Sequence, residues 1–248
     1  MASAGDGLMR SLLVAIGFLT RLPVPAGTFD DERAKAESLA WYPLVGLLLG
    51  LLLSALAWLL RDTPGLLSSA LVVAAWVALT GALHLDGLAD SADAWIGGMG
   101  DREKTLAIMK DPRCGPAGVV ALVLALLMKF AALASLQNVP WLALLLAPML
   151  ARASVTALFL TTPYVRSGGL GAALTNAPRA TCVVALAITA GLCLIGGWRG
   201  LLALLAAGLV FGAWRRGCQR RLGGFTGDTA GALVEMIEVA VLVILALH

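Results

Sequence analysis

The stretch HLDGLADSAD at residues 84–93 places a histidine and three aspartates directly after an uncharged run, residues 66–83. If it is helical, Asp86, Asp90 and Asp93 stand at i, i+4 and i+7, on a stripe about 60° wide. Three like charges on one stripe repel one another, and at a membrane boundary they are also poorly solvated. A cation is expected to face them, and a hard divalent ion such as Mg²⁺ suits such a set. The plainer alternative is a solvated polar face at the end of a span, with acids near a helix start favoured by its dipole. His84 carries an imidazole that titrates near neutrality and is a candidate general base. It could equally cap the preceding helix or orient Asp86.

A second acidic cluster lies in GGFTGDTAGALVEMIE at residues 223–238. Asp228 is expected at a helix N-cap, and Glu235 and Glu238 follow within about 80° of the same face. Gly227 and Gly231 keep that face open to a ligand or a close helix. Two glutamates in an apolar helix are costly and must face the interior and a partner. They either join a site shared with the first cluster, Glu235 completing or orienting it, or pair internally with Lys129 or Arg152. Those two cations lie within apolar runs of their own and are also candidates for holding an anionic ligand.

Further cations flank the clusters. DREKTLAIMKDPRCGPAG at residues 101–118 offers Arg102, Lys104, Lys110 and Arg113 as an anion-binding rim, Lys110 and Arg113 being nearest the membrane. The same residues also read as ordinary basic residues of a membrane boundary. YVRSGGLG at residues 164–171 carries Arg166 on a glycine-rich loop that could close over a ligand. Carboxylates holding a metal, rimmed by arginine and lysine, are the recurring apparatus of phosphoryl transfer.

The elements that position these residues belong to a membrane. The chain is 60% hydrophobic and 13% charged, with mean hydropathy +0.90, a composition foreign to water. Apolar runs able to cross a core about 30 Å thick recur at residues 41–60, 66–83, 116–136, 140–161, 181–197, 201–214 and 229–247. Residues 8–22 either cross or lie in the interface. The expected architecture is therefore all-α, a polytopic integral membrane helical bundle of seven to eight transmembrane segments forming one domain over residues 1–248. Thirteen of the eighteen basic residues fall on one side of this arrangement, which marks that side, and both acidic clusters, as cytoplasmic. The net charge of +3 follows from topology and an anionic ligand; no basic groove interleaved with aromatics suggests nucleic acid. Membrane lipid is the expected surrounding, and the small-residue spans would also permit a homo-oligomer. Cys114, Cys182, Cys193 and Cys218 show neither metal spacing nor a disulfide framework.

The chain resembles the cobalamin synthase family, the adenosylcobinamide-GDP ribazoletransferases. The resemblance rests on FLTRLPVP (18–25), YPLVGLLLG (42–50), GALHLDGLADSADAW (81–95), IMKDPRCGPAG (108–118), GLG (169–171) and GGFTGDTAGALVE (223–235), in the family's order along nearly the whole chain. It implies a Mg²⁺-dependent enzyme of the bacterial cytoplasmic membrane, its site facing the cytoplasm. Such an enzyme joins α-ribazole, or its 5′-phosphate, to adenosylcobinamide-GDP with release of GMP. On that basis Asp86, Asp90, Asp93 and Asp228 are expected to hold metal, and Asp86, His84 and Glu235 to serve catalysis. Arg113, Lys110, Lys129, Arg152 and Arg166 are expected to bind substrate. A CDP-alcohol phosphotransferase fits less well: Leu83 stands where its first aspartate belongs, and its arginine is missing. An ion-coupled transporter would show an inverted repeat, which the sequence lacks.

Overall fold

The computed structural model describes residues 4–136, 140–166 and 170–248, and the apolar runs fold there into twelve α-helices. These are α1 Ala4–Leu19, α2 Glu32–Ser38, α3 Tyr42–Leu59, α4 Gly65–Thr80, α5 Leu83–Gly97, α6 Arg102–Ile108, α7 Pro116–Ser135, α8 Pro140–Thr161, α9 Leu170–Leu174, α10 Arg179–Ile195, α11 Gly197–Leu222 and α12 Gly227–Ala246. Among the described residues the one extended pairing is a parallel bridge between Tyr164 and Phe225.

Five segments are long and apolar enough to cross a membrane: Glu32–Leu59, Pro116–Ser135, Trp141–Thr161, Gly197–Leu222 and Gly227–Ala246. A sixth exists if α4 and α5, bent by 88° at their junction, are one broken span. The expected seven to eight is higher because α10 and α1, with 17 and 16 residues, fall short by length. At 1.5 Å per residue each reaches only about 25 Å. The outer faces are apolar: Val120 and Val123 on α7, Val184 and Ile188 on α10, and Leu205 and Leu209 on α11 all stand exposed. An apolar surface of that extent marks a protein solvated by lipid.

Helix α12 is the axis of the bundle, buried from Thr229 through Glu235, at Ile237 and Glu238, and again at Val241, Leu242 and Leu245. Small residues allow the closest crossings. Gly46 and Gly50 of α3 lie against the backbone of α8, where an added Cβ would stand 2.3 Å from the Pro148 carbonyl oxygen and 2.5 Å from that of Leu144. Pro148 has no N–H to offer Leu144, so that carbonyl is free of its helical partner just where Gly50 passes. Gly46→Ala therefore has no room. It should lower stability by about 1–3 kcal/mol, read as a lower melting temperature in detergent.

The bend between α4 and α5 comes from two consecutive left-handed residues, Gly81 (φ 61°) and Ala82 (φ 58°). Their amides bond back to Ala78 and Val77, closing α4 before the acidic segment begins. Ala82 holds this conformation at a cost of roughly 1–2 kcal/mol. The uncharged run and HLDGLADSAD are thus two helices and not one.

Candidate active site

Helices α5 and α12 cross glycine to glycine. A Cβ on Gly87 would meet the Asp228 carbonyl oxygen at 2.6 Å, and one on Gly231 would lie 3.3 Å from His84 Cα. This crossing brings the two acidic motifs together although some 140 residues separate them. Thr226 starts α12 as its N-cap in a reciprocal capping box with Thr229. Asp228 is therefore not the cap that was expected. It sits one residue into the helix, its carboxylate free to face the cleft.

That cleft has a volume of about 170 Å³ and is walled by His84, Asp86, Gly87, Asp228 and Gly231, with Phe18, Tyr42, Phe159 and Tyr164 among the apolar residues opposite. Asp90, one turn beyond Asp86, feels the negative charge of Asp86, Asp228 and Asp93, opposed by Arg166. The Arg166 guanidinium lies 3.1 and 3.3 Å from the two Asp228 oxygens. The sequence thus brings Asp86, Asp90, Asp228, His84 and Arg166 to one place.

Asp93 has a separate task. One of its oxygens accepts from Gly115 N at 2.7 Å and the other from Gly118 N at 2.9 Å, so it caps the start of α7. A Cβ on either glycine would stand 2.5 Å from that carboxylate, which explains both glycines of the CGPAG turn.

Glu235 and Glu238 do not share the cleft. They lie about 10 and 15 Å below Asp228 along α12, sealed among cations. Lys129 Nζ donates to Glu235 at 2.6 Å and also to Glu238, and Arg152 donates to Glu238. All four side chains are buried, and Lys129 additionally stands 4.8 Å from the centre of the Trp76 ring. Two positive and two negative charges cancel. The internal pairing left open by the sequence is the arrangement the structure adopts. His84 joins the two layers: it lines the cleft, and its Nδ1 lies 3.5 Å from Arg152 Nη2. A guanidinium only donates, so Nδ1 accepts and the ring proton sits on Nε2.

The remaining expected cations are elsewhere. Arg113 forks onto Asp111, at 2.8 Å for the shorter contact, and holds that carboxyl down at about 2. Lys110 and Arg113 are exposed and neither lines the cleft. Several basic residues instead close helix C-termini. Arg179 and Arg215 donate to the last carbonyls of α8, Arg102 to Leu222 of α11, and Arg221 to Trp95 of α5. Of the YVRSGGLG loop, residues 167–169 lie outside the described residues, including the first glycine of GLG. The apolar wall from Phe18, Tyr42 and Tyr164 was not assigned to the site from sequence, although each lies in a motif quoted above.

A polytopic helical bundle that gathers carboxylates from two crossing helices at one end of its axis defines a membrane protein with an acidic cleft. The model of the family described as cobalamin-5-phosphate synthase matches residues 11–246, and the chain belongs to that family. A protein of Pseudomonas paraeruginosa named adenosylcobinamide-GDP ribazoletransferase is 57% identical over 242 residues, 96% of this chain and 98% of its own. Proteins of the same name from Stutzerimonas stutzeri (57% over 97% of this chain and 99% of theirs) and Pseudomonas aeruginosa PAO1 (56% over 96% and 98%) are similar to the same extent. The chain is accordingly an enzyme, a transferase. No solved structure matches it.

Proposed function

We propose that this enzyme joins α-ribazole, or its 5′-phosphate, to adenosylcobinamide-GDP with release of GMP, using Mg²⁺, at the cytoplasmic face of the bacterial inner membrane. The observation that carries the reading is the meeting of Asp86 and Asp228 in one cleft at the glycine crossing, with Asp90 beside them. It agrees with the names of the relatives.

Among the described residues no three of His, Cys, Asp and Glu are grouped tightly enough to cage a metal ion. Mg²⁺ does not need such a cage. It keeps several waters and takes one or two carboxylates together with substrate phosphates, and hard oxygen donors are what this cleft offers. Asp86, Asp90 and Asp228 are the residues that would hold it, while Asp93 fixes α7 against them. The bound ion would neutralise pyrophosphate oxygens and ease departure of the leaving group. A ribose hydroxyl attacks the phosphorus that carries the aminopropanol arm, the bond from that phosphorus to the bridging oxygen breaks, and GMP leaves with the electron pair. A cleft carboxylate takes the hydroxyl proton. His84 donates from Nε2 to a phosphate oxygen and is no base in this arrangement.

Size supports this division of labour. Sites that enclose a whole drug-sized ligand measure about 300–1,000 Å³, and the cleft is smaller. It accepts the pyrophosphate and the attacking sugar, leaving the corrin outside.

The test is purified protein in detergent with adenosylcobinamide-GDP and α-ribazole phosphate, with and without Mg²⁺. GMP and a completed corrinoid are expected to form together and to stop on chelation. Absence of GMP with folded protein and both substrates present would refute the assignment; formation in excess chelator would refute the metal.

A further inference from the structure

We propose that Arg166 is the resident counter-ion of the cleft: it occupies the cation position at Asp228 and must leave it before that carboxylate can take a divalent ion, whereupon its guanidinium is delivered to the anionic end of the substrate. The inference rests on the metal-assisted reading above and adds an order of events to it.

Three observations support it. First, the Arg166 guanidinium is shared between both Asp228 oxygens, one of which also accepts a hydrogen bond from Thr226 Oγ1 at 3.4 Å. A guanidinium and a divalent ion on the same carboxylate repel each other, so binding there is an exchange and not a simple addition. Second, the pair is only half sheltered, the Arg166 side chain being 37% exposed and that of Asp228 18%. Breaking it leaves the guanidinium in water and costs little, unlike the sealed pairs of Lys129 and Arg152. Third, the backbone beside Arg166 is anchored to the turn that starts α12. Val165 N donates to Phe225 O and Phe225 N to Pro163 O, both at 2.9 Å, and the Tyr164 ring packs on Phe159 and Phe225. Gly224 permits this, since a Cβ there would meet the Pro163 carbonyl oxygen at 2.2 Å. The guanidinium can therefore leave Asp228 by rotating its own side chain while its base stays at the cleft.

Of the five cations expected to bind substrate, Arg166 is the one in contact with a cleft carboxylate. Arg113 is held by Asp111, Lys110 faces solvent, and Lys129 and Arg152 are sealed below. A freed planar fork beside the cleft suits a pyrophosphate, which makes Arg166 a positioning group for that anion.

Mn²⁺ binding to the detergent-solubilised full chain, followed by the spin-resonance signal of free Mn²⁺, tests this without turnover. R166Q should bind Mn²⁺ roughly two- to fivefold more tightly than wild type, the worth of one partly exposed ion pair. In a D228N background R166Q should change nothing. R166K keeps the charge and should leave Mn²⁺ affinity near wild type. At saturating metal both Arg166 variants should raise KM for the corrinoid nucleotide more than they lower kcat. Unchanged or weaker Mn²⁺ binding by R166Q, with a native melting temperature, overturns the proposal and leaves the metal reading intact. A wild type that binds no Mn²⁺ overturns the proposal, and one that also forms GMP in excess chelator overturns the metal reading with it.

Discussion

Replacing Asp86 with alanine will lower the rate of GMP formation at least about a thousandfold, the loss typical of a group that stabilises charge in a transition state, and will leave the bundle folded. The two halves of this expectation have separate grounds. Asp86 stands exposed on the cleft wall, and its carboxylate makes no hydrogen bond or ion pair to the described residues. Its removal takes away no contact and relieves repulsion on Asp90 and Asp228, so stability should move by no more than about 0.5 kcal/mol. Asp86→Asn should be nearly as inactive, because it keeps the shape and loses the charge. Chromatography of GMP and a thermal melt in detergent read the two quantities independently. Near-normal turnover in either variant would remove Asp86 from the chemistry.

Lys129→Met will have the opposite profile, with loss of the protein before loss of any step. It strands Glu235 and Glu238 with a single cation in a sealed site, and breaking such a pair costs about 3–5 kcal/mol. The double variant Lys129→Met, Glu235→Gln leaves Arg152 facing Glu238, a balanced pair, and should recover most of the stability. Recovery of the melting temperature together with activity would show that Lys129 serves the fold. A single variant that melts normally but binds substrate poorly would restore the role in substrate binding that the sequence left open for it.

How far the site was legible follows from these residues. The carboxylates that meet in the cleft were visible because charge in an apolar context is conspicuous, and because spacing on one helix is arithmetic. Depth along the helix was not weighed in the same way. Asp228, Glu235 and Glu238 share a face, yet seven and ten residues of rise separate the last two from the cleft. Nor does sequence show which donors a carboxylate will find. Asp93 looks like Asp86 and Asp90, but the backbone amides of Gly115 and Gly118 claim it. The bundle was legible from hydropathy; the left turn at Gly81 and Ala82 was not, because an alanine with positive φ carries no local signal. The basic residues of the marked side were conspicuous by charge, while their use as helix C-caps depends on which helix ends lie beside them.

The sealed charges also constrain how the molecule is made. Helix α12 emerges from the ribosome after the helices that carry Lys129 and Arg152, and it is among the most enclosed spans of the bundle. Until it enters, Lys129 and Arg152 face hydrocarbon or trapped water with no carboxylate to meet them. A nascent chain that has inserted only through α11 is therefore an electrically incomplete body, held open by two cations around a vacant slot. Arrival of α12 neutralises the slot and, in the same movement, carries Asp228 to Asp86. Assembly of the fold and assembly of the site are one event, and a chain that stalls before α12 is left with neither.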